Sequence, residues 1–161
     1  MKIPVTLNDK KIFFDAPPEK PLVDVLREMK ILSPKKGCGK GFCGFCTVLL
    51  DNKAVNSCII PVGLVKDSSI VTLEHFSKTD MYKDIVRGFK QAGLKLCGFC
   101  NAAKIFSTYE LLQHSYRPSP EELSHIAEDM TCNCTDKDSF INGILYATAN
   151  KHEREGRKNV L

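Results

Sequence analysis

The chain has 161 residues, enough for one sizeable core or two small ones, and its 43% apolar and 26% charged fractions are those of an ordinary globular protein. The net charge of +4 is carried by bases scattered among 19 acids, and there is no Trp, which argues against a nucleic-acid surface built from basic and stacking side chains. No apolar stretch is long enough to span a bilayer and MKIPVTLNDKK meets charge too early for an export signal, so a cytoplasmic chain without membrane insertion is expected.

KIPVTL (2–7) and KIFFDA (11–16) flank NDK and predict a β-hairpin. PEKPLVDVLREM (18–29) places Leu22, Val25, Leu26 and Met29 on one helical stripe, with Pro21 tolerated near its start. After a glycine- and cysteine-rich loop, CTVLLDNKAVNSC (46–58) predicts strand, Asp-Asn turn and strand, and SIVTLEHF (69–76) one more strand. These elements make a small mixed α+β domain over residues 1–76.

From there the periodicity is helical. KDIVRGFKQAG (83–93) predicts a helix with Gly93 as its C-cap. AAKIFSTYELLQHS (102–115) carries Ile105, Phe106, Tyr109 and Leu112 at helical spacing. Ser119, Pro120 and Glu122 form a helix-start signature with a capping box, and SFINGILYATANK (139–151) supplies a fourth stripe through Phe140, Ile144, Leu145 and Thr148. The expectation is an all-α domain of four short helices over residues 77–161, ending in a solvated basic tail, KHEREGRK.

The eight cysteines divide between the two halves. Cys38, Cys43, Cys46 and Cys58 are spaced C-x4-C-x2-C-x11-C, the plant-type ferredoxin pattern for a [2Fe–2S] cluster. A structural zinc site usually takes its thiolates from two short knuckles, whereas here three crowd one loop. Glycines at 37, 39, 41 and 44 let backbone N–H groups turn toward an anionic cluster. Cys97, Cys100, Cys132 and Cys134, spaced C-x2-C-x31-C-x-C, suit either zinc or a second [2Fe–2S] cluster. CGFC and CNC each precede a predicted helix start, where free N–H groups favour an anionic centre. His75, His114, His125 and His152 show no pairing with a cysteine, and no carboxylate dyad, phosphate loop or nucleophile pattern is present, so no catalytic residue is expected on this chain.

Both sets in this order, with KGCGKGFCGFCTVLLD, SC at 57–58, VTLE at 71–74, CGFC at 97–100 and CNCT at 132–135, resemble the iron–sulfur subunit of the molybdenum hydroxylase family, which includes xanthine dehydrogenase and aldehyde oxidoreductase. The resemblance covers residues 2 to about 150. It implies a β-grasp, plant-type ferredoxin-like domain followed by a four-helix domain, with one [2Fe–2S] cluster in each, held by Cys38, Cys43, Cys46 and Cys58 and by Cys97, Cys100, Cys132 and Cys134. It further implies a relay of xanthine dehydrogenase type, from a molybdopterin-binding large subunit toward FAD on a medium subunit. An electron carrier for a non-molybdenum partner and a zinc-stabilised interaction module are the other readings.

The sequence departs from the family around the second set. Leu96 stands where relatives carry Gln, Asn101-Ala102-Ala103 where they carry Thr-Pro-Gly, and Asn133 where they carry Arg, followed by Thr135-Asp136-Lys137 in place of Thr-Gly-Tyr. Leu96 cannot make the hydrogen bond a Gln would make toward a pterin, and the missing Arg removes a cation beside the second cluster.

Overall fold

The computed structural model describes residues 1–130 and 132–160, with side chains to residue 157. Strands β1 (Lys2–Leu7) and β2 (Lys10–Asp15) form the expected hairpin, and β3 (Thr47–Leu50) and β4 (Lys53–Asn56) form a second. Both turn on two residues with positive φ, Asn8 and Asp9 at 50° and 66°, and Asp51 and Asn52 at 48° and 67°. Asn and Asp tolerate that conformation, and its twist matches the flanking strands. β5 (Ser69–Val71) runs parallel to β1 and antiparallel to β3, giving the order β2-β1-β5-β3-β4.

Both faces of this sheet are covered. Helix α1 (Leu22–Glu28) packs Leu22, Val25 and Leu26 with Ile3, Val5, Phe14, Val48 and Ile70 on one face. The next residue of β3, Leu49, points the other way, into a core of Phe76, Ile85, Phe89, Ile105, Phe106, Leu112, Phe140 and Ile144 from the helical half. Helix α1 begins at Leu22, the first residue of the predicted apolar stripe. Pro21 has no N–H and sits at the flanking position, where its carbonyl accepts the amide of Asp24 at 3.0 Å.

The segment 69–76 is not a single strand. It stops after Val71, where the Thr72 amide donates to Asn8 Oδ1 at 2.9 Å and Asn8 Nδ2 donates to Thr72 Oγ1 at 3.0 Å. Leu73–Phe76 then forms a short helix, α2, which turns Phe76 into the helical core against Phe106 and Tyr109.

The helical half comprises α3 (Asp80–Gln91), α4 (Asn101–His114), α5 (Pro120–Glu128) and α6 (Lys137–Val160). Gly93, at φ 74°, closes α3: its amide donates to the Lys90 carbonyl at 3.0 Å, and the Leu94 amide reaches the Phe89 carbonyl at 2.9 Å. Ser119 and Glu122 make the expected capping box on α5. The basic tail is a correction, because α6 continues through it for 24 residues in all. Polar docking holds the extension, which therefore has no apolar period to read. Asn150 Nδ2 donates to the Asp84 carbonyl at 3.2 Å and to Gln91 Oε1 at 2.8 Å, and Arg154 reaches the Asp84 carboxylate. Among the described residues no helix is long and apolar enough to cross a membrane.

Candidate metal centres

The loop carrying Cys38, Cys43 and Cys46 lies between α1 and β3 and is folded around its own sulfurs. The backbone N–H groups of Lys40, Phe42 and Cys43 each donate to Cys38 Sγ at 3.3 Å, and the Cys38 amide donates to Cys43 Sγ at 3.3 Å. This convergence needs close backbone approach. A Cβ on residue 37 would meet Cys43 Sγ at 2.6 Å, and Gly41 holds φ at 78°. The amides of Lys40, Cys43 and Phe42 bring the exposed Cys38 thiol down to about 6.

Cys46 and Cys58 form the inner pair. The Cys58 amide donates to Cys46 Sγ at 3.4 Å, and Ser57 Oγ donates to the Cys46 carbonyl at 2.6 Å. Burial raises the Cys46 thiol to about 11. Cys38 thus favours thiolate, while Cys46, inside the protein, keeps its proton until a metal displaces it. Two pairs of thiols, one outer and one inner, suit a centre of two irons with two thiolates on each.

The second set is more compact. The sulfurs of Cys97, Cys100, Cys132 and Cys134 all lie within 4.8 Å of one another, and all four thiols are free. Cys100 lies 3.3 Å from Cys97 and 3.0 Å from Cys134, and Cys97 lies 3.4 Å from Cys132. The expected helix starts are in place, with Cys100 flanking α4 and the CNC segment leading into α6. Asp136 opens α6 by accepting the Ser139 amide at 2.8 Å, and the Ser139 hydroxyl and amide hold its carboxyl below the usual range. Burial and the thiols of Cys134 and Cys97 push Cys100 well up. Burial also opposes ionisation of Cys97, but hydrogen bonds from Cys100 and Cys132 outweigh it and bring Cys97 to about 6. Close-packed sulfurs of this kind repel one another as thiolates, so a bound cationic metal centre is what makes the arrangement favourable.

Sequence reading missed one member of this site. Lys104 is 1% exposed, yet its Nζ lies 3.4 Å from Cys100 Sγ, 3.6 Å from Cys134 Sγ and 3.4 Å from the Cys132 carbonyl. Its Nζ also sits 5.8 Å from the centroid of the Phe140 ring. The available signal was spacing, since residue 104 follows Cys100 by one helical turn and shares its face. This revises the reading of Asn133, because a cation stands beside the second set although no Arg does. Leu96 packs against the helical core, so its side chain has an apolar role of its own. Asn101 Oδ1 accepts the Ala102 amide at 3.1 Å.

The two sets meet at a seam. The rings of Phe45 and Phe99, one from each cysteine loop, stand 5.6 Å apart, and a Cβ on residue 44 would lie 3.1 Å from Ala103 Cβ. Beside this seam runs a groove of about 500 Å³ lined by Cys43, Gly44, Ala103 and Met130. Phe42 on the groove is 73% exposed, and Phe99 at the seam 56%. Among the described residues His75 pairs with Asp9, His125 with Asp129, and His152 stacks on Tyr116, contacts that do not involve a cysteine.

Comparison with known proteins agrees with both halves. A family described as the 2Fe-2S iron-sulfur cluster binding domain matches residues 5–68, and one described as the [2Fe-2S] binding domain matches residues 72–145. The chain is 32% identical to the xanthine dehydrogenase iron-sulfur-binding subunit of Escherichia coli O157:H7, over 89% of this chain and 91% of that one. It is 31% identical to the nicotinate dehydrogenase small FeS subunit of Eubacterium barkeri, over 90% and 93%. Among solved structures it superposes on quinoline 2-oxidoreductase from Pseudomonas putida 86 with a TM-score of 0.85 and 29% identity, covering 97% of both chains.

Proposed function

This chain belongs to the iron–sulfur subunits of the molybdenum hydroxylase family, and we propose that it carries electrons between a molybdopterin-binding large subunit and a FAD-binding medium subunit. The observation that carries the proposal is the convergence of Cys97, Cys100, Cys132 and Cys134 to within 4.8 Å in one half, with the Cys38–Cys43 and Cys46–Cys58 pairs in the other and the two cysteine loops meeting at the Phe45–Phe99 seam. We assign Cys38, Cys43, Cys46 and Cys58 to one [2Fe–2S] cluster and Cys97, Cys100, Cys132 and Cys134 to the other. The corresponding units are residues 1–76 and 77–161, although Phe76 packs by contact with the helical core.

A [2Fe–2S] cluster, when bound, supplies storage for one electron. The chain's residues set the surroundings of that electron. The amides of Lys40, Phe42 and Cys43 direct partial positive charge at Cys38, and burial of Cys46, Cys58 and Cys100 limits solvent access. Phe42, Ile59 and Phe99, each next in the chain to an assigned cysteine, are exposed, which supports coverage by partner subunits. Eight cysteines that form no disulfide among the described residues support operation in the reducing cytoplasm.

Metal and sulfide analysis of the purified chain tests the assignment, with two irons and two sulfides expected for each of the two sites. Stoichiometric zinc, or a single EPR signal after reduction, would overturn it. Purification of the native complex should bring molybdenum and flavin with this chain, and their absence would overturn the partner assignment.

A further inference from the structure

We propose that Lys104 is a resident counter-charge for the second iron–sulfur site, favouring its reduced, more negative state over its oxidised one. The inference rests on the assignment of a [2Fe–2S] cluster to Cys97, Cys100, Cys132 and Cys134, and it concerns a residue outside the ligand set.

An amine that is 1% exposed has lost its water, and its hydrogen-bond donors must be met from within the protein. A lysine ammonium has three N–H donors and no acceptor. Nζ of Lys104 faces three acceptors, Cys100 Sγ at 3.4 Å, Cys134 Sγ at 3.6 Å and the Cys132 carbonyl at 3.4 Å. The Phe140 ring offers it a face at 5.8 Å. Among the described residues no carboxylate pairs with it. A buried ammonium left unpaired is strongly unfavourable, so its compensation has to come from negative charge on the sulfur site.

The effect on redox follows from Coulomb's law in a medium of reduced dielectric. Reduction adds one electron to the centre, breaks no covalent bond and makes its charge one unit more negative. In a titration the electron comes from dithionite through mediators. A fixed positive charge a hydrogen bond away from two ligand sulfurs stabilises the product of that step more than the reactant. At the ferredoxin-like site the groups converging on Cys38 are of another kind, neutral backbone amides.

The test is an EPR-monitored redox titration of the full chain with iron analysis on the same samples, comparing wild type with Lys104→Gln, Lys104→Met and Lys104→Arg. Reduction of the helical-half centre should become at least about tenfold less favourable in the Gln and Met proteins, a downward shift of about 59 mV for a one-electron couple. The Arg protein should stay near wild type, and the ferredoxin-like signal should not move. Loss of the second cluster from both neutral variants with retention in Lys104→Arg would also support the counter-charge. A wild-type midpoint in a neutral variant that keeps its iron would overturn it. Loss of the cluster from all three variants would overturn it too, by showing that size rather than charge matters. If wild type itself lacks a second iron–sulfur signal, the cluster assignment fails first.

Discussion

Arg154 Nε lies 2.7 Å from Asp84 Oδ2 and ties the last turns of α6 to the middle of α3. The Asp84 side chain is 10% exposed and that of Arg154 24%, so the pair is largely withdrawn from water. Arg154→Ala would leave a nearly buried carboxylate without its cation. A cost of about 1–3 kcal/mol is expected, below the full penalty for a buried pair because one partner is partly solvated. A lowered thermal midpoint with unchanged iron content is the measurement.

Where α3 and α6 cross, Gly88 faces Ala147 and Gly143. A Cβ at residue 88 would meet the Ala147 backbone nitrogen, with Ala147 Cα at 2.7 Å and the Gly143 carbonyl oxygen at 2.8 Å. Helix propensity favours Ala over Gly by about 1 kcal/mol, but these neighbours are backbone and cannot turn aside. Gly88→Ala should therefore destabilise by about 1–3 kcal/mol as overpacking. Gly156 lies in α6 with nothing within 4 Å of its Cβ position, so Gly156→Ala should stabilise by about 0.5–1 kcal/mol. Opposite shifts in thermal midpoint are expected from the same chemical change.

No thiol is common to the two sets, which come from separate segments of the chain. Cys43→Ser should abolish the EPR signal of the ferredoxin-like centre and leave that of the helical-half centre in place. Loss of both signals from a folded protein would contradict independent sites.

Asn133 is exposed, while Lys104 lies buried against the same sulfurs. A charge placed at residue 133 is screened by solvent to a degree that one at residue 104 is not. Asn133→Arg should raise the midpoint of the helical-half centre, and by less than Lys104→Gln lowers it. Redox titrations of the two variants side by side measure this.

The Glu74 carboxylate accepts the amides of Leu32 and Ser33 at 3.0 and 2.8 Å and the Ser33 hydroxyl, anchoring the approach to the first cysteine loop on α2. Partial burial raises its pKa, but the Ser33 hydroxyl and amide outweigh that and leave it below the ordinary value. The folded state thus binds this proton less readily than the unfolded chain. The stabilisation is complete above the unfolded pKa of about 4.3 and is lost as pH falls through the lower folded value. Glu74→Gln should cost at most about 1 kcal/mol at neutral pH, given the exposure of this side chain. Acid titration of unfolding should show wild type and variant converging below that window.

Much of this was legible in the sequence because the elements obey local rules. The paired turn residues at 8–9 and 51–52, Gly93 closing α3 and the capping box at Ser119 are each specified within a few residues. The C-x2-C and C-x-C spacing likewise announced the convergence of Cys97, Cys100, Cys132 and Cys134. What was hidden depended on distant partners. Val71 ends its strand because Asn8 binds Thr72, a contact across 64 residues. The end of α6 is held by Asp84, and its polar sequence carries no period to betray it. Nothing beside Lys104 in the chain marks it as buried, since only the fold shows that its face is closed over by Cys134 and Phe140.

The contact between the cysteine loops also bears on the kinetics of the relay. Phe45 rests against Phe99, and Gly44 leaves no room for a larger residue beside Ala103. The gap between the two centres is thereby set by touching atoms rather than by a hinge. Passage across it requires no swinging arm and no diffusional search, so thickening the solvent with glycerol should leave the internal hop unhurried and unhindered, while any step that needs subunits to rearrange should slow.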